Sequence, residues 1–438
     1  MADVDDKLRA ELKEQLRHRL RPLGGHGPSE RDRATTPLEL LYDLTYVVAF
    51  AAAADQLAHG VVAGEVVPAL GAYIFAVFAV SWAWMNFTWF SSAYGNDDAL
   101  FRVATIVQMV GVIVLTFGLP VSFSAAAHGE SPNNALMVIG YVIMRVPLIG
   151  LWLRAAREDE AHRRIDVAYA IMIAVAQVGW ILTAVLPLPV DATIVALVVL
   201  AVAEMAAPVI AERQLGFAPW NAGHVAERFA LLTIITIGEM IAATTAAVGA
   251  LTAKEGWSVG AVTVITAGLV LAAALWWAYF LIPSRTILER WPERIFAWRY
   301  AHLPMFGSMA AVGAGLHIAA EAVEDDETTV LVVALALAIP VAAVIVTVFL
   351  TWSVLMKTYD LTHVPLFVAA LVPLVAAVVV AASTAGSVEQ ATVSSNISTL
   401  VVVIALIAAS AVIEVVGHEL VGYRHTIRAL RVSSDRVD

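Results

Sequence analysis

Twelve apolar stretches, each close to the length of a bilayer-spanning helix, leave this chain few ways to fold outside a membrane. They fall near residues 37–58, 66–91, 99–122, 135–154, 165–186, 191–211, 224–249, 258–282, 298–321, 329–355, 363–385 and 397–417. A hydrocarbon core about 30 Å thick is crossed by roughly 20 helical residues. Runs such as V-V-A-L-A-L-A-I-P-V-A-A-V-I-V-T-V-F-L, ending at Leu350, lack the polar–apolar alternation of a barrel strand. In lipid each backbone group must then be satisfied within its own segment, so the expected fold is all-α, a polytopic bundle of transmembrane helices. An apolar content of 60% fits that reading and exceeds the ordinary soluble balance.

Basic residues gather on alternate sides of these segments. With the N-terminus inside, 24 of the 26 Lys and Arg residues lie on the inner side, leaving Lys254 outside and Arg145 within a helix. Basic loops near helix ends stay cytoplasmic, which predicts a multi-pass protein of the bacterial inner membrane with both termini in the cytoplasm. The net charge of -11 comes from acids spread over outer loops and helix interiors, and nothing in it supports nucleic-acid binding. Lack of cysteine excludes disulfides, thiol catalysis and thiolate metal sites. The segment before Pro37 has no apolar core region and is no signal peptide. Within it, Leu8, Leu12, Leu16 and Leu20 recur on one side of a charged helix, which suits a membrane surface; a solvated arm is the alternative.

The two halves share a pattern. E-L-L-Y-D-L-T-Y from Glu39 lies over E-R-F-A-L-L-T-I from Glu227, matching Glu39, Leu44 and Thr45 to Glu227, Leu232 and Thr233. Trp82 and Trp84 answer to Trp276 and Trp277, and Arg102 to Arg299. Duplication of six helices gives parallel repeats, with a shared site between them. The chain then divides into a cytoplasmic arm at 1–34, six-helix units at 35–216 and 217–422, and a basic tail at 423–438.

These segments also carry a resemblance. E-L-L-Y-D-L from Glu39 to Leu44, W-A-W-M-N-F-T-W from Trp82 to Trp89, E-R-F-A-L-L-T-I-I-T-I-G-E from Glu227 to Glu239, and H-L-P-M-F with A-V-G-A-G-L between His302 and Leu316 are similar to the bacterial low temperature requirement A (LtrA) family. The resemblance implies a polytopic inner-membrane protein whose family name refers to growth in the cold, and it brings no catalytic or ligand residues with it. Family members often have an acid after the W-W-x-Y-F run; this chain has Leu281, so no charge-based role follows there.

Ionisable side chains inside the membrane cost about 2.5 to 3.5 kcal/mol on insertion scales and usually face a counter-charge or a wet cavity. Here they form a candidate ladder across the bundle: Glu39, Asp43, Glu204, Glu227, Arg228 and His302 toward the inner side, Arg145 near mid-depth, and Asp55, Glu239 and His317 further out. Thr36, Pro37 and Glu39 also fit a capping box, in which Glu39 only starts its helix. Asp43 has a structural reading as well, an ion pair with Arg145 or Arg228. Glu239 stands beside Gly238, which would admit a close approach, and among Thr233, Thr236, Thr244 and Thr245, which would supply hydroxyls. Trp82, Trp84, Trp276 and Trp277 are candidates for lining an apolar or cation-accepting cavity, with lipid-facing packing as the alternative. Glu414 and His418, four residues apart, read as an exposed pair, and no metal site or cofactor fingerprint is present.

Several buried acids without a soluble catalytic domain point to a transporter-like protein coupled to protons or cations, carrying a small solute. An intramembrane lipid-modifying enzyme using the same acids, or a membrane sensor or scaffold in cold or stress adaptation, are the alternatives.

Overall fold

The computed structural model describes residues 20, 23–26, 33–324, 327–357, 364–383, 392–422 and 427. The expected helix at 5–21 and the basic tail lie almost wholly outside these residues. Within them the chain is helical, with one isolated bridge between Thr329 and Thr392. The helices are α1 (Pro37–Val62), α2 (Val66–Tyr94), α3 (Ala99–Ala127), α4 (Ala135–Glu158), α5 (Arg163–Val185), α6 (Val190–Leu215), α7 (Ala222–Glu255), α8 (Val259–Phe280), a short α9 (Ser284–Arg290), α10 (Ile295–Glu324), α11 (Val330–Met356), α12 (Val364–Ala382) and α13 (Ile397–Gly417). They make up twelve spans long and apolar enough to cross a bilayer among the described residues, α8 and the short α9 together forming the span Val259–Arg290. The expected all-α, twelve-span architecture is therefore the observed one.

Local chemistry sets the helix starts. Side chains of Thr36, Asp98, Asn221, Ser258 and Thr329 each accept an amide N–H three residues on, as N-caps do. Thr36 and Glu39 complete the capping box expected of them.

Packing makes α10 the axle of the bundle. Of its apolar window 78% is buried, against 22% for α6 and α12. It packs on α1, α2, α7 and α11. Glycine permits a close crossing elsewhere: a Cβ on Gly140 of α4 would sit 2.4 Å from the Leu115 amide nitrogen of α3. Around the outside, Val175, Val202, Ile339 and Val375 are each at least 60% exposed, as a lipid-facing surface requires.

Candidate functional site

The first helix of each half meets at a seam, where α1 packs against α7 and both pack against α10. Glu39 and Asp43 stand one turn apart on α1, so they share a face; His224 and Arg228 do the same on α7. The two pairs interlock. Arg228 Nη2 lies 2.5 Å from Asp43 Oδ1 and its Nε donates to Oδ2 at 3.2 Å, a forked contact. Arg228 Nη1 lies 3.2 Å from Glu39 Oε1 and donates to Ser91 Oγ at 3.2 Å. His224 Nε2 lies 3.2 Å from Glu39 Oε1, and the Trp84 indole donates to Asp43 Oδ1 at 2.7 Å. Glu39, Asp43, His224 and Arg228 are 0–1% exposed, so this end of the seam is closed. Glu39 completes the capping box of α1 and contacts Arg228 and His224 at once. Of the two candidate counter-ions for Asp43, the structure selects Arg228.

Toward the other end of the same seam lies a second cluster of different character. His317 Nε2 of α10 is 3.1 Å from Glu239 Oε1 of α7 and 3.8 Å from Asp55 Oδ1 of α1. These side chains are half-open, with 29%, 15% and 49% exposure for His317, Glu239 and Asp55. Two carboxylates meet a histidine here, and among the described residues no arginine or lysine forms an ion pair with them.

The setting of Glu239 differs from expectation in two respects. A Cβ on Gly238 would meet nothing within 4 Å; the close approach is at Gly313 of α10, whose Cβ would stand 3.3 Å from Glu239 Cγ. The hydroxyls of Thr233, Thr236, Thr244 and Thr245 donate to backbone carbonyls four residues back in α7, so their protons are already committed.

The ladder is not continuous, because Arg145 and Glu204 pair off the seam. Arg145 donates to the Tyr141 hydroxyl, which donates to Glu204 Oε2 at 3.0 Å, and Arg145 Nη2 lies 4.0 Å from Glu204 Oε1. His302 joins no acid among the described residues. Its Nδ1 donates to the Trp298 carbonyl at 2.8 Å, leaving Nε2 to accept from the Tyr279 hydroxyl at 3.2 Å, and Phe229, Trp298 and Phe306 surround the ring. Glu227 is half-buried, accepts the Thr35 amide at 3.4 Å and lines a cavity of about 320 Å³ with Arg33 and Arg285.

The four tryptophans do not form one cavity. Trp84 holds Asp43, and Trp82 lines a groove beside Glu204. Trp276 and Trp277 are 43% and 48% exposed on the exterior, where lipid packing accounts for them. Glu414 and His418 are a pair at 2.9 Å, but a largely buried one rather than an exposed one.

Two participants escaped the sequence reading. His224 is one of them, and its i,i+4 spacing to Arg228, which mirrors that of Glu39 to Asp43, is the signal that marks it. Glu212, near the end of α6, looks like an interfacial charge yet is 2% exposed, taking hydrogen bonds from Tyr169 at 2.5 Å and Trp89 at 3.0 Å. Arg299 lies beside it in a cage of Trp89, Phe296 and Tyr300.

No solved structure matches the chain. It is similar to "Uncharacterized protein RA0937" of Rhizobium meliloti (strain 1021), 24% identical over 302 residues that cover 66% of this chain and 69% of the relative. Residues 34–408, which include both seam clusters, match the model for the bacterial low temperature requirement A protein, and the chain belongs to the LtrA family.

Proposed function

We propose that this protein is an ion-coupled carrier of the bacterial inner membrane whose pathway follows the α1–α7 seam. In this reading the Glu239–His317–Asp55 cluster takes the coupling proton or monovalent cation, and the Arg228 cluster is the closed gate at the other end. The observation that carries it is the composition of the half-open cluster: two acids face a group that itself titrates, and among the described residues no arginine or lysine pairs with them. Such a site is neutral only after taking up protons or a cation, whereas Arg228 holds its acids in a fixed pairing. A purely architectural role accounts poorly for this pattern, since apolar packing holds helices together as well as buried ion pairs do.

A further observation supports a site between halves. The pairings α1–α2, α1–α3, α3–α4, α4–α5 and α5–α6 recur as α7–α8, α7–α10, α10–α11, α11–α12 and α12–α13, which supports duplication of a six-helix unit, while α8 packs on α13 with no comparable α2–α6 pairing among the described residues. Carriers built from repeats place their sites at the repeat interface. With the arginine-rich end in the cytoplasm, the half-open cluster faces outward and the closed gate faces inward.

The test needs no known solute. A pH jump applied to the purified protein on a solid-supported membrane should produce a transient charge displacement. Glu239→Gln with His317→Gln should remove it while helicity and elution volume are unchanged. An equal displacement in that folded double variant, or none in the wild type, overturns the reading.

A further inference from the structure

Away from the seam, a groove of about 270 Å³ lies between α2, α5 and α6. Ile171 and Val175 of α5 border it and are 57% and 66% exposed, so its mouth lies among lipid-facing side chains. Glu204 is part of its lining, with Trp82, Asn86 and Tyr169 nearby. Glu204 lies eleven residues from the α6 terminus at Leu215, about 16 Å along the axis at 1.5 Å per residue. The groove therefore meets the membrane at hydrocarbon depth.

The acid in its lining is balanced in charge. Arg145 compensates Glu204 through the Tyr141 hydroxyl. A ligand bringing net charge would be unmatched in these low-dielectric surroundings. A carboxylate can only accept, so a neutral ligand must donate to it.

We propose that this groove is a lateral binding site for an uncharged bilayer amphiphile with a hydroxyl head. The hydroxyl donates to Glu204, and the chain leaves between Ile171 and Val175 into the membrane. The volume suits a small head and its first carbons, since pockets that enclose a whole drug-sized ligand hold about 300 to 1,000 Å³.

The full chain in lipid nanodiscs is labelled with a diazirine-bearing long-chain alcohol, and with the same chain ending in a methyl ether, a head that accepts but cannot donate. Mass spectrometry should find the alcohol concentrated on Met172, Val175 and Leu200, and the ether about tenfold less so, the worth of one good hydrogen bond. Ala207→Trp fills the groove and leaves the Arg145–Tyr141 contact in place; it should abolish the enrichment, as should Glu204→Leu. Should Glu204→Leu fail to fold, Ala207→Trp alone decides. Equal labelling by alcohol and ether, enrichment that survives Ala207→Trp, or label spread evenly to the outward-facing Val199 and Val202 overturns the proposal.

Discussion

Arg228 is the residue on which the closed end of the seam depends. It faces Glu39 and Asp43 together and is fully buried, so removing its charge strands two carboxylates in apolar protein. Breaking a buried pair by deleting one partner costs about 3 to 5 kcal/mol, while replacing every member with matched neutral groups is often close to neutral. Arg228→Met should therefore lower the midpoint of thermal unfolding in detergent sharply. Adding Glu39→Gln and Asp43→Asn to it should restore most of the loss, and failure of that rescue would show that the cluster is not a closed electrostatic unit. Sequence spacing alone put Glu39 and Asp43 on one face, because four residues make about one turn. It could not choose between Arg145 and Arg228 as counter-ion, since Arg228 lies 185 residues from Asp43 and only packing brings them together. The same limit hid Glu212, whose burial comes from Trp89 and Tyr169 on other helices.

At the scale of the helix, hydropathy located all twelve spans, because lipid allows a crossing segment almost no other conformation. Its boundaries fell short where polar residues extend a helix: α7 runs over Ala222–Glu255 rather than 224–249, and α2 continues to Tyr94. The short α9 was missed, since Ser284–Arg290 has too few apolar residues to register. Close helix contacts were equally illegible, because a glycine at a crossing and a glycine facing open space look alike in sequence. Gly140 and Gly238 are those two cases. Gly140→Leu should separate α3 from α4 at a cost of about 1 to 3 kcal/mol, the usual penalty of overpacking. Gly238→Ala should be tolerated, with unchanged yield and elution volume. Equal tolerance of both substitutions would contradict the packing described here.

Across the whole molecule, the arginine-rich end and the opposite end carry the orientation. The chain has no cysteine, so single cysteines report without background. In intact cells a membrane-impermeant maleimide should label Gly129→Cys in the α3–α4 loop, and should label Glu160→Cys in the α4–α5 loop only after permeabilisation. The reverse result would invert the molecule and with it the assignment of gate and coupling site.

The central claim is that the seam opens, so that the end now sealed around Arg228 becomes accessible. Ser91→Cys reads this most directly, since Ser91 is fully buried against Arg228. In proteoliposomes, with exposed Thr286→Cys as the positive control, a small thiol reagent on the arginine-rich side should label Ser91→Cys slowly. A pH gradient should increase that rate, and Glu239→Gln should suppress the increase. Complete protection of Ser91→Cys in folded protein, with and without the gradient, would contradict the account and leave the cluster as a fixed brace between α1 and α7.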